Sequence, residues 1–287
     1  MPARDAFLAV LAALIWGATF PFSALALEET PPLFFTFLRF LAAGVFILTV
    51  PKPAMPWRHI VTLGVLLGAG QYGLMFFAMS GGFPAGLASL LIHTQAFFTV
   101  IMAVVFFRET PGPRHAIAGA VALAGLLLLA SAQSETGTAG GLALILFGAL
   151  CAAGGNMILK SLGGANPLHV AVWMSAAAAV PLLALSLLLE TANPVSATLG
   201  AMTWKTAVAV LYSALLATVL VYTIWGRLLV QHSAAIVAPF FLLVPVFGIS
   251  LSWLFLGETL SRLQAVGCLL IFAGLAAVLW PVRTGRA

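Results

Sequence analysis

Charged residues are scarce in this chain. Only 7% of its 287 residues are Asp, Glu, Lys or Arg, whereas 63% are hydrophobic. A water-soluble domain usually carries about 25% charged residues, so these charges are too few to cover a surface that faces water. The composition excludes an ordinary soluble protein and predicts an integral membrane protein that is partnered by the lipid bilayer.

Acidic residues are rarer still, and all seven lie at the ends of apolar segments or between them. We therefore expect no carboxylate in the middle of the membrane, which argues against a site for cationic drugs and removes the commonest proton relay. Metal-ligand spacings, glycine-rich phosphate loops and GxSxG elbows are also lacking. The sequence predicts a protein that is not an enzyme and that binds no cofactor or metal.

Two further features exclude other classes of partner or site. The only two cysteines, Cys151 and Cys268, lie inside apolar runs and are expected to be small buried hydrophobes. The net charge of +5 does not indicate a nucleic-acid partner, because the basic residues are scattered singly rather than clustered.

Ten apolar segments follow one another along the chain, each with about 18 or more mostly uncharged residues, the length that a helix needs to cross a bilayer. Helices are expected because lipid leaves no partners for strand edges. The first segment is longer than the core of a signal peptide and is expected to be retained. The segments are 6–27, 33–50, 60–80, 85–107, 115–132, 141–160, 168–189, 206–226, 234–256 and 263–281.

The chain contains an internal duplication. Residues 85–132 and 234–281 align without gaps, so that Glu109 matches Glu258 and Gly125 matches Gly274. A repeat of apolar helix pairs is typical of transporters that are built from internal repeats. We interpret Glu109 and Glu258 as helix-end residues that fix the adjoining loops.

Basic residues set the orientation of the helices. If the N-terminus is cytoplasmic, nine Lys and Arg residues lie in cytoplasmic segments and two lie opposite, which predicts that both termini are cytoplasmic. Five crossings per half are an odd number, so the second half is turned over. The expected fold is all-α, with ten transmembrane helices as two inverted five-helix repeats, 1–137 and 138–287, around a central cavity.

Several polar side chains fall near the middle of the membrane, at a rise of about 1.5 Å per residue in a core about 30 Å thick. His93 is the most informative, because a group of this kind usually faces a cavity or bonds to a neighbouring helix. Gln71 is expected either to bind the substrate or to bond between helices. Trp16 and Thr19 share one helix face, and Gln95 lies slightly deeper than His93.

Four polar or aromatic residues are expected nearer the cytoplasmic side. Asn156 is a candidate for the inner mouth of a cavity. Trp173, Tyr222 and Trp225 lie where aromatic residues commonly form an interfacial belt. The predicted substrate-binding residues are Trp16, Thr19, Gln71, His93, Gln95, Asn156 and Trp173.

Other patterns indicate packing and movement. Pro21, Pro239 and Pro245 are expected to kink their helices and are candidates for gating. Arg39 either snorkels or ties its helix to carbonyl groups, with attraction of a carboxylate at the outer mouth as the functional alternative. Small residues predict close helix contacts at two places: Gly64 and Gly68, and Ala116, Ala120 and Ala124.

Four segments of the chain stand out: LIWGATFPF at 14–22, FTFLRFLAAG at 35–44, PAGLASLLIHTQAFFTVIMAVVFFRE at 84–109 and APFFLLVPVFGISLSWLFLGETL at 238–260. They resemble the EamA family of ten-helix exporters in the drug/metabolite transporter superfamily. The resemblance implies a basket-like fold that exports cargo across the bacterial inner membrane by alternating access. Within the family, the chain is most similar to exporters of amino acids and their derivatives.

The predicted function is secondary export of neutral amino acids and related metabolites: aromatic and other apolar amino acids, threonine and cysteine-type compounds. We expect the protein to function as a monomer. A channel-like facilitator of small metabolites is the alternative, and the inverted repeat with polar groups at the midplane argues against it. A membrane-embedded enzyme would need clustered catalytic groups, which the sequence does not offer. Facilitated export and proton exchange both remain open.

Overall fold

Long apolar helices run back and forth along one axis. The computed structural model of the protein describes residues 1–108, 113–131, 139–162, 165–190, 195–232 and 234–279, and within these ranges it contains helices and no strand. A short helix, Val195–Ala201, lies between the seventh and eighth long helices. The ten long helices of the described ranges are α1 (Ala3–Leu27), α2 (Pro32–Leu48), α3 (Trp57–Ser80), α4 (85–107), α5 (Pro113–Ser131), α6 (Ala139–Leu162), α7 (Pro167–Leu189), α8 (Trp204–Gln231), α9 (234–256) and α10 (Arg262–Leu279).

Six of these helices (α1, α3, α4, α6, α7 and α8) are long and apolar enough to cross a membrane by themselves. The other four contain shorter apolar stretches of 10–17 residues. The ten helices follow the ten apolar segments of the sequence, so the prediction of an all-α, multi-pass membrane fold is confirmed. The largest difference is in α8, which ends at Gln231 rather than at residue 226.

One end of the bundle, which we call the terminal end, holds the start of α1. Asp5 in the first turn of α1 accepts a hydrogen bond from Nε2 of His232, just after α8, at 2.8 Å. The indole Nε1 of Trp173, near the start of α7, donates to the carbonyl oxygen of Val50 after α2, at 2.9 Å. These contacts join helix starts to helix ends, as an antiparallel arrangement requires.

The opposite end, which we call the capped end, has carboxylates seated on helix starts. Glu190, just after α7, accepts hydrogen bonds from the backbone N–H groups of Leu33 and Phe34 at 2.7 and 3.0 Å. Ser186 also donates to this carboxylate at 2.6 Å. The first N–H groups of a helix have no partner within the helix, so a carboxylate in this position stabilises the start of α2.

Glu258 makes the corresponding contact for α4. Its two oxygens accept hydrogen bonds from the N–H groups of Ala85 and Gly86 at 2.7 and 2.8 Å. Glu258 lies just after α9, as expected, but the contact that it makes fixes the start of α4 rather than the loop beside it. Its repeat partner, Glu109, lies outside the described residues.

The capped end also joins α1 to α8 through hydroxyl and carboxylate groups. Thr203 donates to Glu29 through its hydroxyl at 2.6 Å and its N–H at 3.1 Å, and these bonds hold the pKa of the Glu29 carboxyl below its ordinary value. The buried hydroxyls of Thr30 and Thr206 lie 3.1 Å apart. On the exposed rim, Lys205 pairs with Glu28.

The packing of helices follows the sequence repeat. Helices α2 and α7 pack together, as do α5 and α10, so each of these pairs joins equivalent positions of the two halves. Helix α1 packs on α8 and α9, and its counterpart α6 packs on α3 and α4. This exchange of partners is the pattern expected for two inverted five-helix repeats.

The α5–α10 pair shows the same symmetry at the level of single residues. A Cβ atom added to Gly125 would lie 2.6 Å from the carbonyl oxygen of Gly267. A Cβ atom added to the equivalent Gly274 would lie 2.7 Å from the carbonyl oxygen of Ala118. The two helices therefore cross where their backbones approach closely, at positions that the repeat makes equivalent.

The helix face predicted to pack closely is correct for α3 and wrong for α5. Gly64 and Gly68 pack against Ala178 of α7, as expected. The alanines at 116, 120 and 124 are exposed, and the face of α5 that packs carries Ala118, Ala122 and Gly125 instead. Small residues occupy more than one face of this helix, so their four-residue spacing alone did not identify the buried face.

Four of the helices change their winding near their centres. Helix α3 is π-helical over Gly64–Gly73, and α8 is π-helical over Tyr212–Leu220. Helix α4 contains a 3₁₀ turn at Ile92–Thr94, and α9 contains one at Ala238–Leu242. These are repeat-equivalent pairs of helices. Wide π turns are rare and often mark functional sites, so the two pairs point to the centre of the bundle.

Candidate functional site

A cavity of about 260 Å³ lies between the two halves of the bundle. It is bordered by the irregular segments of α3, α4 and α9, together with parts of α1, α2, α6, α7 and α8. Six of the seven predicted substrate-binding residues line it: Trp16, Thr19, Gln71, His93, Gln95 and Asn156. The structure therefore brings these six residues together at one cavity.

The structure places Trp173 outside this cavity. Its ring packs against that of Trp57, with the ring centroids 5.4 Å apart, and its indole Nε1 bonds to the carbonyl oxygen of Val50. Both contacts hold α7 to its neighbours at the terminal end. The neighbouring Met174, rather than Trp173, reaches the cavity.

Aromatic rings form one continuous wall of the cavity. The ring of Trp16 contacts those of Tyr222, Trp225 and Phe241, with centroid distances of 5.5, 5.3 and 5.3 Å. The indole Nε1 of Trp16 donates to the carbonyl oxygen of Ala217 at 2.9 Å. The polar atom of Trp16 is thus already bonded within the protein, and its ring offers an apolar surface.

Tyr222 and Trp225 were not predicted to belong to the site. The sequence placed them near an interface, because the expected eighth segment ended at 226, whereas α8 continues to Gln231. The π-helical segment Tyr212–Leu220 lies just before them and changes which side chains share a face. The spacing of three residues between the two rings was the available signal that they act together.

His93 joins the aromatic wall to the polar part of the cavity. Its Nδ1 lies 2.6 Å from the carbonyl oxygen of Ser89, and its ring centroid is 4.9 Å from that of Phe241. A carbonyl oxygen only accepts, so Nδ1 carries the proton of this bond. In the neutral ring, Nε2 then keeps a lone pair that can accept a hydrogen bond from a ligand.

Amide groups supply the remaining neutral polar surface. Asn156 of α6 donates to the hydroxyl of Thr99 at 3.2 Å and lies 3.5 Å from Oε1 of Gln95, both on α4. No described residue hydrogen-bonds the side chain of Gln71, which is 8% exposed within the π-helical segment of α3. Gln71 therefore has donors and acceptors left for a ligand.

Arg39 was expected to snorkel or to tie its helix to carbonyl groups, with attraction of a carboxylate at the outer mouth as the alternative. Its side chain is buried with 5% exposure, and it lines the cavity. The guanidinium carbon lies 4.3 Å from the centroid of the Tyr72 ring. Arg39 does not snorkel, because its charge stays within the bundle instead of reaching an end.

The three prolines that were candidates for gating lie in or beside this central region. Helix α1 continues through Pro21 without a break, and the Pro21 side chain is buried. In α9, Pro239 falls within the 3₁₀ turn and Pro245 lies just after it. The change of winding in α9 thus lies where proline removes backbone hydrogen bonds.

Comparison with known families decides the class of the protein. The chain matches the EamA-like transporter family over residues 4–131 and again over 139–280. The chain belongs to this family. It is therefore a multi-pass membrane transporter and not an enzyme.

Relatives of this EamA-like transporter extend over its whole length. A protein of Salmonella typhimurium named as a probable amino-acid metabolite efflux pump is 36% identical, over 100% of this chain and 98% of the relative. A protein of Escherichia coli with the same name is 32% identical, over 100% of this chain and 98% of the relative.

The EamA-like fold also has a match among solved structures. One crystal structure superposes on this chain with a TM-score of 0.65 at 18% sequence identity, and it covers 96% of both chains. Agreement over nearly the whole chain at such low identity supports the arrangement of all ten helices.

Proposed function

We propose that this EamA-like transporter exports amino-acid metabolites from the cytoplasm across the bacterial inner membrane through its central cavity. The observation that carries the proposal is a cavity at mid-depth with an aromatic wall and neutral polar groups. Such a lining suits a small molecule with an apolar side chain and a polar backbone. The names of the Salmonella and Escherichia relatives support the same class of cargo.

Alternating access is the proposed mechanism, and the packing at the two ends supports it. Towards the capped end, one continuous cluster includes Phe20, Phe35, Phe76 and Met79. Towards the terminal end, the packing is divided between one cluster on α2, α3, α6 and α7 and another on α1, α8 and α9. We propose that the cavity between these divided clusters opens towards the terminal end.

The distribution of basic residues supports a cytoplasmic terminal end. The conformation then corresponds to the inward-facing state of an exporter, ready to take cargo from the cytoplasm. Release requires opening of the capped end, and we propose that the irregular centres of α4 and α9, with Pro239 and Pro245, permit this movement. Pro21 is proposed to contribute through α1, which packs on α9.

The proposed substrate-binding residues are the six predicted residues that were found to line the cavity: Trp16, Thr19, Gln71, His93, Gln95 and Asn156. His93 offers an acceptor, Gln71 offers both donors and acceptors, and the ring of Trp16 receives an apolar side chain. Gln95 and Asn156 complete the polar surface between α4 and α6. Trp173 is left out of the proposal because its ring contacts Trp57 outside the cavity.

The function is tested by counterflow: the purified protein is placed in the membrane of liposomes that are loaded with a saturating unlabelled amino acid, and uptake of labelled amino acid is measured. Phenylalanine, methionine and threonine are the first cargoes, each measured with and without a proton gradient. We expect saturable exchange of at least one of them. Absence of saturable flux for every neutral amino acid and its acylated derivative would contradict the proposal, and single-channel conductance without saturation would favour a channel.

The site is tested by His93→Phe, which keeps a ring against Phe241 but removes both nitrogens. We expect about tenfold lower flux at limiting substrate, the effect of losing one hydrogen bond to a ligand. Trp173→Ala is the control, since it also removes an aromatic side chain but one outside the cavity. Equal losses in the two variants would mean that the cavity does not hold the cargo.

A further inference from the structure

One positive charge inside the bundle lacks a counter-charge in the part of the chain that the structure describes. Arg39 is 5% exposed, and no Asp or Glu among the described residues lies within ion-pair distance of it. Its Nη1 is buried and has no hydrogen-bond partner within the described ranges of the chain. Burial of an ion costs several kcal/mol unless a partner compensates for its lost hydration, so an arginine left in this state calls for a ligand.

Three aromatic rings hold the guanidinium group in position. Its carbon lies 4.3 Å from the ring centroid of Tyr72 and 5.4 Å from those of Phe40 and Phe76. Cation–π contacts of this kind are attractive, but they neither neutralise the charge nor satisfy N–H donors in the guanidinium plane. The rings therefore orient the guanidinium group of Arg39, but they do not supply the negative charge that an anion would.

The position of Arg39 makes it accessible to cargo. It lies seven residues after the start of α2, about 10 Å along the helix at a rise of about 1.5 Å per residue. It lines the cavity together with Gln71, whose amide has no described partner. Guanidinium and amide thus both offer N–H donors to the cavity, and such donors can bind a carboxylate.

The other lining groups carry no negative charge. The cavity is lined by amides, hydroxyls, aromatic rings, apolar side chains and one imidazole, and no Asp or Glu is among its described lining residues. A carboxylate would find a full counter-charge here, whereas an ammonium group would find only neutral acceptors and rings. The balance of charge favours a cargo with net charge −1.

We propose that Arg39 binds the carboxylate of the cargo, and that the preferred cargo is a monoanion whose nitrogen is uncharged, such as an N-acylated apolar amino acid. The apolar body lies against the aromatic wall around Trp16. A zwitterionic amino acid binds at the same place but more weakly, because it leaves the positive charge of the site uncompensated. This assignment rests on the proposed function and narrows its substrate class.

The test uses four compounds that share one side chain: N-acetylphenylalanine, phenylalanine, N-acetylphenylalaninamide and phenylalaninamide. They are an anion, a zwitterion, a neutral compound and a cation. Binding to the purified transporter in detergent is measured by calorimetry and by the shift in melting temperature. We expect the anion to bind at least about tenfold more tightly than the neutral amide, as for a charge-assisted hydrogen bond, with the zwitterion between them.

Direct binding separates the two proposals. If the acids and amides bind equally, the role of Arg39 is wrong even where counterflow of amino acids is saturable. If the anion binds through Arg39 but no compound is exchanged across the liposome membrane, the transport proposal fails and the binding site stands.

Arg39→Met examines the residue itself, with Arg58→Met as the matched control at an exposed position. We expect Arg39→Met to abolish the preference for acids over amides while the empty protein melts at the same or a higher temperature, because an uncompensated buried charge is removed. Arg39→Lys keeps the charge and should keep the preference at reduced affinity. A purely structural arginine would instead give a lower melting temperature and an unchanged preference.

Discussion

At the scale of single residues, carboxylates after one helix fix the start of another. Glu258 follows α9 in the sequence but binds the first N–H groups of α4. Such a contact joins elements from the two halves of the chain, so its loss affects tertiary structure rather than one local helix. Glu190 does the same for α2 from the end of α7.

We predict that Glu258→Ala lowers the free energy of unfolding by about 1–2 kcal/mol, because two N–H groups lose a charged acceptor. Reversible unfolding in mixed detergent micelles measures the change. Glu28→Ala is the matched control, since the side chain of Glu28 is 56% exposed in its pair with Lys205 and should cost about 0.5 kcal/mol or less. Similar losses in both variants would show that the capping contact contributes nothing.

The sequence predicted the depth of site residues better than the direction in which they point. Trp16, Gln71 and His93 were expected near mid-depth, and all three line the cavity. Trp173 was predicted to bind the substrate but lies outside the cavity, because the depth of a residue does not show which side of α7 faces the cavity. Arg39 was expected to snorkel or to bond to carbonyl groups, because an isolated sequence does not show that three aromatic rings surround it.

At the scale of helices, close crossings at glycine hold the centre of the bundle together. A Cβ atom on Gly248 of α9 would lie 2.5 Å from the Cβ of Ser89 on α4. A Cβ atom on Gly17 of α1 would lie 2.6 Å from the Cβ of Phe247 on α9. Helix α9 is therefore in close contact with both α1 and α4, beside its own 3₁₀ turn.

We predict that Gly248→Ala destabilises the protein by about 1–3 kcal/mol, because the added methyl group overpacks the crossing. Ser89→Gly removes the atoms that it would meet, so the double variant should recover part of the loss, and a double-mutant cycle of unfolding measures this coupling. Gly119→Ala in α5 meets nothing within 4 Å and should be neutral or slightly stabilising. Additive losses at 89 and 248 would contradict the close crossing.

Apolar segments predicted the helices well but not their winding. The presence and order of ten helices follow from segment length and hydropathy. The π-helical centres of α3 and α8 and the 3₁₀ turns of α4 and α9 depend on tertiary packing, which a local pattern does not contain. The proline residues signalled the irregularity of α9, whereas α3, α4 and α8 have no proline at their irregular centres.

At the scale of the whole molecule, the two ends of the bundle differ in how firmly they are joined. The capped end has Glu190 and Glu258 on helix starts and a buried pair of hydroxyls between Thr30 and Thr206. Transport by alternating access would require contacts across this end to separate, among them the contact between Thr30 and Thr206. The proposed cycle therefore depends on movement at the capped end.

We predict that a disulfide between Thr30→Cys and Thr206→Cys stops counterflow but leaves cargo binding in place. The two hydroxyl oxygens lie 3.1 Å apart, and sulfur atoms in their places can bond without large movement of the backbone. The experiment uses a background in which Cys151 and Cys268 are replaced by Ala. Flux should return on reduction, each single cysteine variant is a control, and continued flux in the cross-linked protein would exclude opening at this end.

The two-fold arrangement of the whole molecule was the most predictable feature. The gap-free alignment of 85–132 with 234–281 placed Gly125 and Gly274 in equivalent positions, and the α5–α10 crossing makes equivalent contacts at both. The odd number of crossings in each half then required inversion. The cavity could not be predicted in size or lining, because those depend on where the two halves meet in three dimensions.

The unpaired charge of Arg39 has a consequence for energy coupling. When the binding site holds an anion on a fixed cation, the loaded site is neutral and its reorientation moves no net charge across the membrane. When the empty site returns, the positive charge of Arg39 is uncompensated and its reorientation responds to the electric field. A potential that is negative inside supplies about 2.3 kcal/mol per charge for each 100 mV, and it favours outward movement of an anion. The voltage across the membrane would then drive export without any proton-carrying carboxylate within the helices.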